Sequence, residues 1–281
     1  MFTRRRFLHS ASFALSANAF ASSGFQRNET DAPQNAEVLA ERYPAYPPDL
    51  IENLVRVSHF SLDKVKEVVE PHPQLVKASW DWGFGDWETP LGAACHMGRR
   101  NIAEYLLSKG ATPSLFSAVL FGDLSVVKQI VDRQPGVQRV AGPHSISLLA
   151  HARLGGKNAE DVYAYLHSLG DAEMLNPTPL ADKEKNIICG SYQVSVDASH
   201  RIEVSADMHA YANSPMYAYP PQLSWKRAGT MERPLFHQGA MKFYPAGAPS
   251  IQVRFEQRAQ EVVMTVIDGG NVFEASRSAA T

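Results

Sequence analysis

TPLGAACHMGRRNIAEYLLSKGA, residues 89–111, reads as two short helices joined by a glycine turn. Thr89 can cap the first helix by accepting a free backbone N–H, and Pro90 suits the first helical position, where a missing N–H costs nothing. Ala93, Ala94 and Cys95 keep that helix thin enough to pack closely. Gly98 permits the left-handed turn that ends it. Ile102, Tyr105, Leu106 and Leu107 then recur at helical spacing, and Gly110 closes the second helix.

The T-P-L-x-x-A opening and the helix–turn–helix length resemble an ankyrin repeat, whose period is roughly 33 residues. Weaker copies flank it. Val57, Val65 and Val69 lie 37 positions before Ala94, Ile102 and Leu106, with Ser61 where the glycine should be, as expected of a terminal cap. Ala118, Gly122, Val126 and Ile130 lie 24 positions after Ala94, Gly98, Ile102 and Leu106. That spacing leaves only ATPS between helices, so the third repeat lacks the usual connecting finger. Ser147, Leu149, Ala152 and Gly156 repeat the frame at an offset of 58, and Leu166 and Gly170 at 60, which puts a two-residue insertion near GGKNAED. The resemblance covers residues 49–170, about four repeats with degenerate ends. It implies an α-solenoid that binds through its fingers and concave face.

Residues 171–186, GDAEMLNPTPLADKEKN with its leading glycine, combine prolines and charges and read as a linker. From residue 187 the apolar period changes from 3.6 to 2: Tyr192, Val194 and Val196 alternate with polar residues, as do Ile202 and Val204, then Ile251, Val253 and Phe255. Turn signals at Pro220-Pro221, Ala248-Pro249 and Asp268-Gly269-Gly270 separate these runs. Short strands at this spacing predict an antiparallel meander over residues 187–281, closing into a small barrel or sandwich. Its GSY opening, PAG turn and ASR ending resemble small β-domains at the C-terminus of some exported bacterial hydrolases. Tyr211, Tyr217, Tyr219 and Trp225 could line the mouth of such a barrel.

The first 21 residues hold Arg4, Arg5 and Arg6 and no acid. TRRRFLH, a short apolar run and Ala19-Phe20-Ala21 resemble a twin-arginine export signal and its cleavage site. The run is too short to span a bilayer, which needs about 20 apolar residues. The resemblance implies a periplasmic or secreted protein with no stable membrane insertion after the signal is removed. Residues 22–48 follow as a polar leader and a short helix, AEVLAERY, stopped by Pro44, Pro47 and Pro48. The whole chain has 27 basic and 29 acidic residues; without the three arginines of the signal, 24 basic residues face 29 acidic ones, so nucleic acid is an unsuitable partner. Cys95 and Cys189 could bridge in an oxidising compartment, but both sit where small buried residues are needed. No C-x-x-C pair suggests zinc.

The conspicuous segment is SWDWGFGDWE, residues 79–88, at the position of an ankyrin finger. Trp80, Trp82, Phe84 and Trp87 alternate there with Gly83, Gly85, Asp81, Asp86 and Glu88. The rings either pack the finger against the first repeat or the β-domain, or face the groove and bind a peptide, a sugar ring or a cationic group. A second finger, QRVAGPHSIS, precedes the fourth repeat and carries His144. With no finger between them, the two should wall a cleft. His59 and His96, 37 positions apart, occupy equivalent places near the ends of successive first helices. Each histidine is read as a solvent-facing or capping side chain, with the groove as the functional alternative. No G-x-S-x-G, H-E-x-x-H or phosphate-binding glycine loop is present, and Gly83-Phe84-Gly85 lacks the third glycine of a dinucleotide fingerprint.

The sequence therefore predicts an α+β, multidomain chain: an ankyrin-type α-solenoid followed by a small antiparallel β-barrel or sandwich. Its expected role is non-catalytic binding of a protein or small envelope ligand by Trp80, Trp82, Phe84, Trp87, Asp81, Asp86, His59, His96 and His144. No cofactor, metal or catalytic residue is expected. The rival expectation is a periplasmic hydrolase using Asp81, Asp86, Glu88 or His144 in the inter-finger cleft, and convergence of those groups around a perturbed carboxyl would favour it. A third expectation makes the aromatic finger an adhesive between domains.

Overall fold

The computed structural model describes residues 44–173, 177–194, 201–208, 214–227 and 229–278, an α+β fold containing an eight-stranded antiparallel β-barrel. The segments expected to form an export signal and the AEVLAERY helix, together with Val196 and Tyr211, lie outside the described residues. No helix among the described residues is long and apolar enough to cross a membrane.

Eight helices form four pairs: α1 (Pro48–Val57) with α2 (Leu62–Val69), α3 (Pro90–His96) with α4 (Arg100–Ser108), α5 (Leu115–Phe121) with α6 (Leu124–Arg133), and α7 (Leu148–Gly155) with α8 (Glu160–Ser168). Short polar side chains start most of them. The hydroxyls of Ser61, Thr89, Ser114 and Ser147 and the carboxylate of Asp123 each accept a backbone N–H from the first turn. Pro48 opens α1 at its first position, where a missing N–H costs nothing. The first helices of the pairs lie side by side in the order α1, α3, α5, α7. Leu54, Leu91, Ile102 and Leu106 join the first two pairs in one core, and Val119, Val127, Leu148 and Leu166 join the last two.

Residues 79–88 make a minimal hairpin, β1 (Trp80–Asp81) paired with β2 (Trp87–Glu88). The linker expectation fails at its end, where α9 (Asp182–Ile188) forms; Glu184 reaches back to the backbone N–H of Ala181 and so caps it. The strands are β3 (Gly190–Gln193), β4 (Arg201–Ser205), β5 (Leu223–Arg227), β6 (Arg233–Gly239), β7 (Lys242–Pro245), β8 (Gln252–Arg258), β9 (Glu261–Asp268) and β10 (Asn271–Ser278). They pair in sequence, and β10 closes on β3. Closure leaves no free sheet edge. Tyr192, Leu223, Phe243, Val253 and Met264 fill the interior.

Helices and barrel belong to one compact unit, Pro44–Thr281. Ile146 and Ala150 from the helical side share a core with Tyr217, Phe236 and Ala246 from the barrel side. Cys95 and Cys189 are both free, and burial pushes the Cys95 thiol up to about 12.

The finger's rings part company. Phe84 stacks on Trp225 of β5 at 5.6 Å between centroids, so the hairpin tip does join helices to barrel. Trp87 is 61% exposed. Trp87→Ala is therefore expected to change stability by no more than about 0.5 kcal/mol, the usual range for surface substitutions, against the several kcal/mol of a buried ring. Urea unfolding of the two proteins checks this.

Candidate metal centre

Four residues from four separate segments converge between the helical pairs and the barrel. His59 lies in the turn after α1, Glu88 ends β2, His96 ends α3, and His144 sits in a short 3-10 turn before α7. One ligand atom from each of the four lies within 4.8 Å of every other. Glu88 is at the centre. Its Oε2 is 3.4 Å from His59 Nε2 and 3.5 Å from His144 Nε2, and its Oε1 is 3.0 Å from His96 Nδ1.

The rear side of each ring explains its aim. His59 Nδ1 lies 3.0 Å from the carbonyl of Val55 and 3.1 Å from that of Arg56. Carbonyls only accept, so Nδ1 carries the proton and Nε2 keeps a lone pair toward the cluster. His144 Nδ1 donates to Asp86 Oδ2 at 2.8 Å, which turns its Nε2 the same way. A histidine held from behind by a carbonyl or a carboxylate is the arrangement that orients metal ligands. His96 Nδ1 and Glu88 Oε1 are off the line a hydrogen bond requires, so both buried atoms lack a hydrogen-bond partner. Buried polar atoms left unmatched in this way call for a partner, and a cation between them would supply one. Trp82 Nε1 donates to Glu88 Oε2 at 2.8 Å, fixing the carboxylate further.

His144 is gripped more tightly than the others. Its backbone N–H donates to Asp86 Oδ1 at 2.9 Å, and Tyr217 donates to its carbonyl at 2.9 Å. Both His144 and Ser145 adopt positive φ, 59° and 61°, a conformation that L side chains avoid and that persists only when the surroundings impose it. Asp86 also accepts from Arg233 at 3.0 Å. Gly247 must be glycine, because a Cβ there would lie 2.2 Å from the Asp86 carboxylate. These contacts run from the hairpin to the barrel through one buried aspartate.

Electrostatics follow from this packing. Burial opposes charge on Glu88 and Asp86, yet hydrogen bonds from His144 outweigh it, with His96 aiding Glu88 and Arg233 aiding Asp86, and hold both carboxyls below the usual range. Burial likewise opposes charge on His144, but the bonds to Asp86 and Glu88 lift it to about 9. Burial lowers His59, and it lowers His151 to about 4. A pocket of about 140 Å³ opens on the cluster, lined by His59, His96, His144, Tyr217, Met231 and Glu232.

Of the residues singled out in the sequence, the structure brings together His59, His96 and His144, with Asp86 and Trp82 beside them. His59 is only 20% exposed at its side chain and His96 2%, so the solvent-facing reading of these histidines is corrected. Asp81 is not part of the cluster; its Oδ1 accepts the Gly83 N–H and shapes the turn. Trp87 faces solvent, and Phe84 faces the barrel. The two fingers do not wall an empty cleft, because His144 and Asp86 bond directly across it. Sequence reasoning gave Glu88 only a subsidiary place, read Tyr217 as a barrel-mouth ring, and missed Arg233 and Gly247. Nothing local marks those two.

No protein-family model matches the chain, and no curated protein matches it.

Proposed function

We propose that the protein binds one divalent transition-metal ion through His59, His96, His144 and Glu88, and that it is a metal-dependent hydrolase. The convergence of four ligand atoms within 4.8 Å, two of the imidazoles oriented from behind, carries this reading. Three imidazoles and a carboxylate suit zinc or another first-row transition ion better than magnesium or calcium, which prefer oxygen. With the ligating imidazoles neutral, a divalent ion and Arg233 balance Asp86, Glu88 and the pocket-lining Glu232. The ion would supply Lewis acidity toward a carbonyl or phosphoryl oxygen; the chain's residues orient the ligands, and because four protein ligands fill a tetrahedral shell, a substrate oxygen would have to enter from the adjoining pocket as a fifth ligand.

This reading takes up the rival sequence expectation, since acids and histidines converge and both carboxyls are perturbed. The side-by-side helix pairs fit an ankyrin-type stack adapted to hold a centre, and the twin-arginine resemblance suits export of a protein that folds around its metal before translocation. Non-catalytic binding is the second reading, favoured by Trp87, whose ring stands exposed on the finger.

Calorimetric titration of chelator-stripped protein with zinc is the test. One ion per chain is expected. Trp82→Phe, which keeps an aromatic ring but removes the donor to Glu88, should weaken affinity about 10–100-fold, the usual cost of losing a partner behind a ligand. His96→Ala should weaken it more. Absence of binding, or affinity indifferent to His96→Ala, would sink the proposal, and hydrolysis of 4-nitrophenyl esters and phosphates that stays unchanged in chelator would sink its catalytic half.

A further inference from the structure

The mouth of the barrel beside the metal centre carries chemistry of its own. Leu223, Trp225 and Arg227 alternate along β5 and so share one face. The first two are buried in the barrel core, at 0% and 7% exposure, which makes that face the inner one. Arg227 continues it outward to the rim, opposite Ile202 of β4. A pocket of about 280 Å³ opens there. Phe84, Trp225, Phe273 and one side of Trp82 wall it, Ile202 lines it with them, and Arg227 and Thr230 sit at the edge. The volume is at the small end of ligand pockets, and barrel mouths are among their preferred places.

Two features point to the occupant. The walls are aromatic: Phe84 and Trp225 stack on one another at 5.6 Å, and their edges and outer faces, with Phe273 and Trp82, offer apolar surface to a further ring. The Arg227 guanidinium has no hydrogen-bond or ion-pair partner among the described residues, whereas that of Arg233 in the same pocket is fully engaged by Asp86 and three carbonyls. An unpaired guanidinium at the edge of an aromatic pocket favours an anion and disfavours a cation. This narrows the sequence expectation of a peptide, a sugar ring or a cationic group.

Position ties the pocket to the metal. Met231 and Arg233 line both this pocket and the one above the histidines. Trp82 gives Glu88 its N–H while its ring faces the pocket, and the same Arg233 that borders the pocket holds Asp86 behind His144. We propose that the barrel mouth binds small aromatic anions, one or two fused rings bearing a carboxylate or phosphate, with the ring among Phe84, Trp225 and Phe273 and the anion on Arg227. The pocket stands on its own geometry; its assignment as the substrate site rests on the metal-dependent function proposed above.

The test uses 2-naphthoate and its neutral counterpart 2-naphthamide, titrated into the full protein with intrinsic tryptophan fluorescence as readout, stripped of metal and again with zinc. Both should bind, the anion about tenfold tighter, as a partly exposed charge-assisted bond allows. Arg227→Gln, an exposed substitution that should not disturb folding, should erase the preference while leaving the amide's affinity unchanged. Met231→Trp, also at an exposed turn, should crowd the mouth and weaken both. Failure of both compounds to bind, or a preference that survives Arg227→Gln, would overturn the proposal. Zinc titration of the unmodified protein, run beside the naphthoate titration, separates the two ideas: zinc bound without naphthoate recognition refutes the pocket alone, and naphthoate recognised without zinc binding refutes the metal centre alone.

Discussion

Arg233→Ala is expected to cost about 3–5 kcal/mol of folding stability, the range for removing one partner of a buried ion pair and leaving the other uncompensated. The guanidinium is 5% exposed at its side chain. It donates to Asp86 at 3.0 Å and to the carbonyls of Ala246, Trp82 and Gly83 at 2.8, 2.6 and 3.2 Å. Truncation leaves a buried carboxylate short of its cation and takes the donor from three carbonyls, against a total stability that for domains is only about 5–15 kcal/mol. Lysine would not rescue it, since one ammonium cannot reproduce a fork that meets acceptors on both the hairpin and the barrel. Urea unfolding should show a lower midpoint with an unchanged slope. Arg258→Ala, which breaks exposed pairs with Glu256 and Glu274, is the control and should move the midpoint little. An Arg233→Ala midpoint close to that of the control would mean the guanidinium is not what ties the two halves together.

Local chemistry was the legible part. Thr89 caps α3, Pro90 opens it, and Gly98, Gly110 and Gly122 adopt positive φ where the repeat frame demanded glycine. The insertion near GGKNAED is a 3-10 turn, Gly156–Ala159, between α7 and α8. Period-2 alternation marked β4 and β8 because the inside of a barrel is apolar and the outside is wet. α9 was hidden because its charges and the prolines before it look like linker chemistry, and only the Glu184 cap announces a helix. The centre was half visible. The equivalence of His59 and His96 follows from the repeat, and α1 and α3 lie side by side, which brings those rings within 4.9 Å. Glu88 could not be weighted from sequence, because an acid before a helix cap is ordinarily exposed. Arg233 is 147 positions from Asp86, and no local pattern encodes a contact made by packing a barrel onto a hairpin.

Between pH 6.5 and 9 the metal-free and zinc-loaded proteins should diverge in thermal stability. His144 is lifted from an ordinary 6.5 to about 9 by Asp86 and Glu88. A raised folded value means its contribution is fully present below pH 6.5 and is lost as pH climbs to about 9, worth up to about 3 kcal/mol in all. Below pH 6.5 the opposite groups act. Burial lowers His59 and His151, so the unfolded chain takes up protons that the fold refuses, and stability falls with pH. Further down, the depressed Asp86 and Glu88 lose their contribution as the medium drops below the ordinary carboxyl range. Metal-free protein should therefore be most stable near pH 6.5. Zinc competes with the proton on His144, whereas the lowered His59 already offers a free lone pair near neutrality. Its affinity should rise by up to about tenfold per pH unit until His144 is neutral. The stabilisation from a fixed zinc concentration grows with affinity, so the gap between melting temperatures in zinc and in chelator should widen steadily from pH 6.5 to 8.5. A gap that stays constant or narrows would mean that zinc displaces no proton from His144. His144→Phe should abolish both the alkaline decline of the metal-free protein and the widening of the gap, because one imidazole answers for the two.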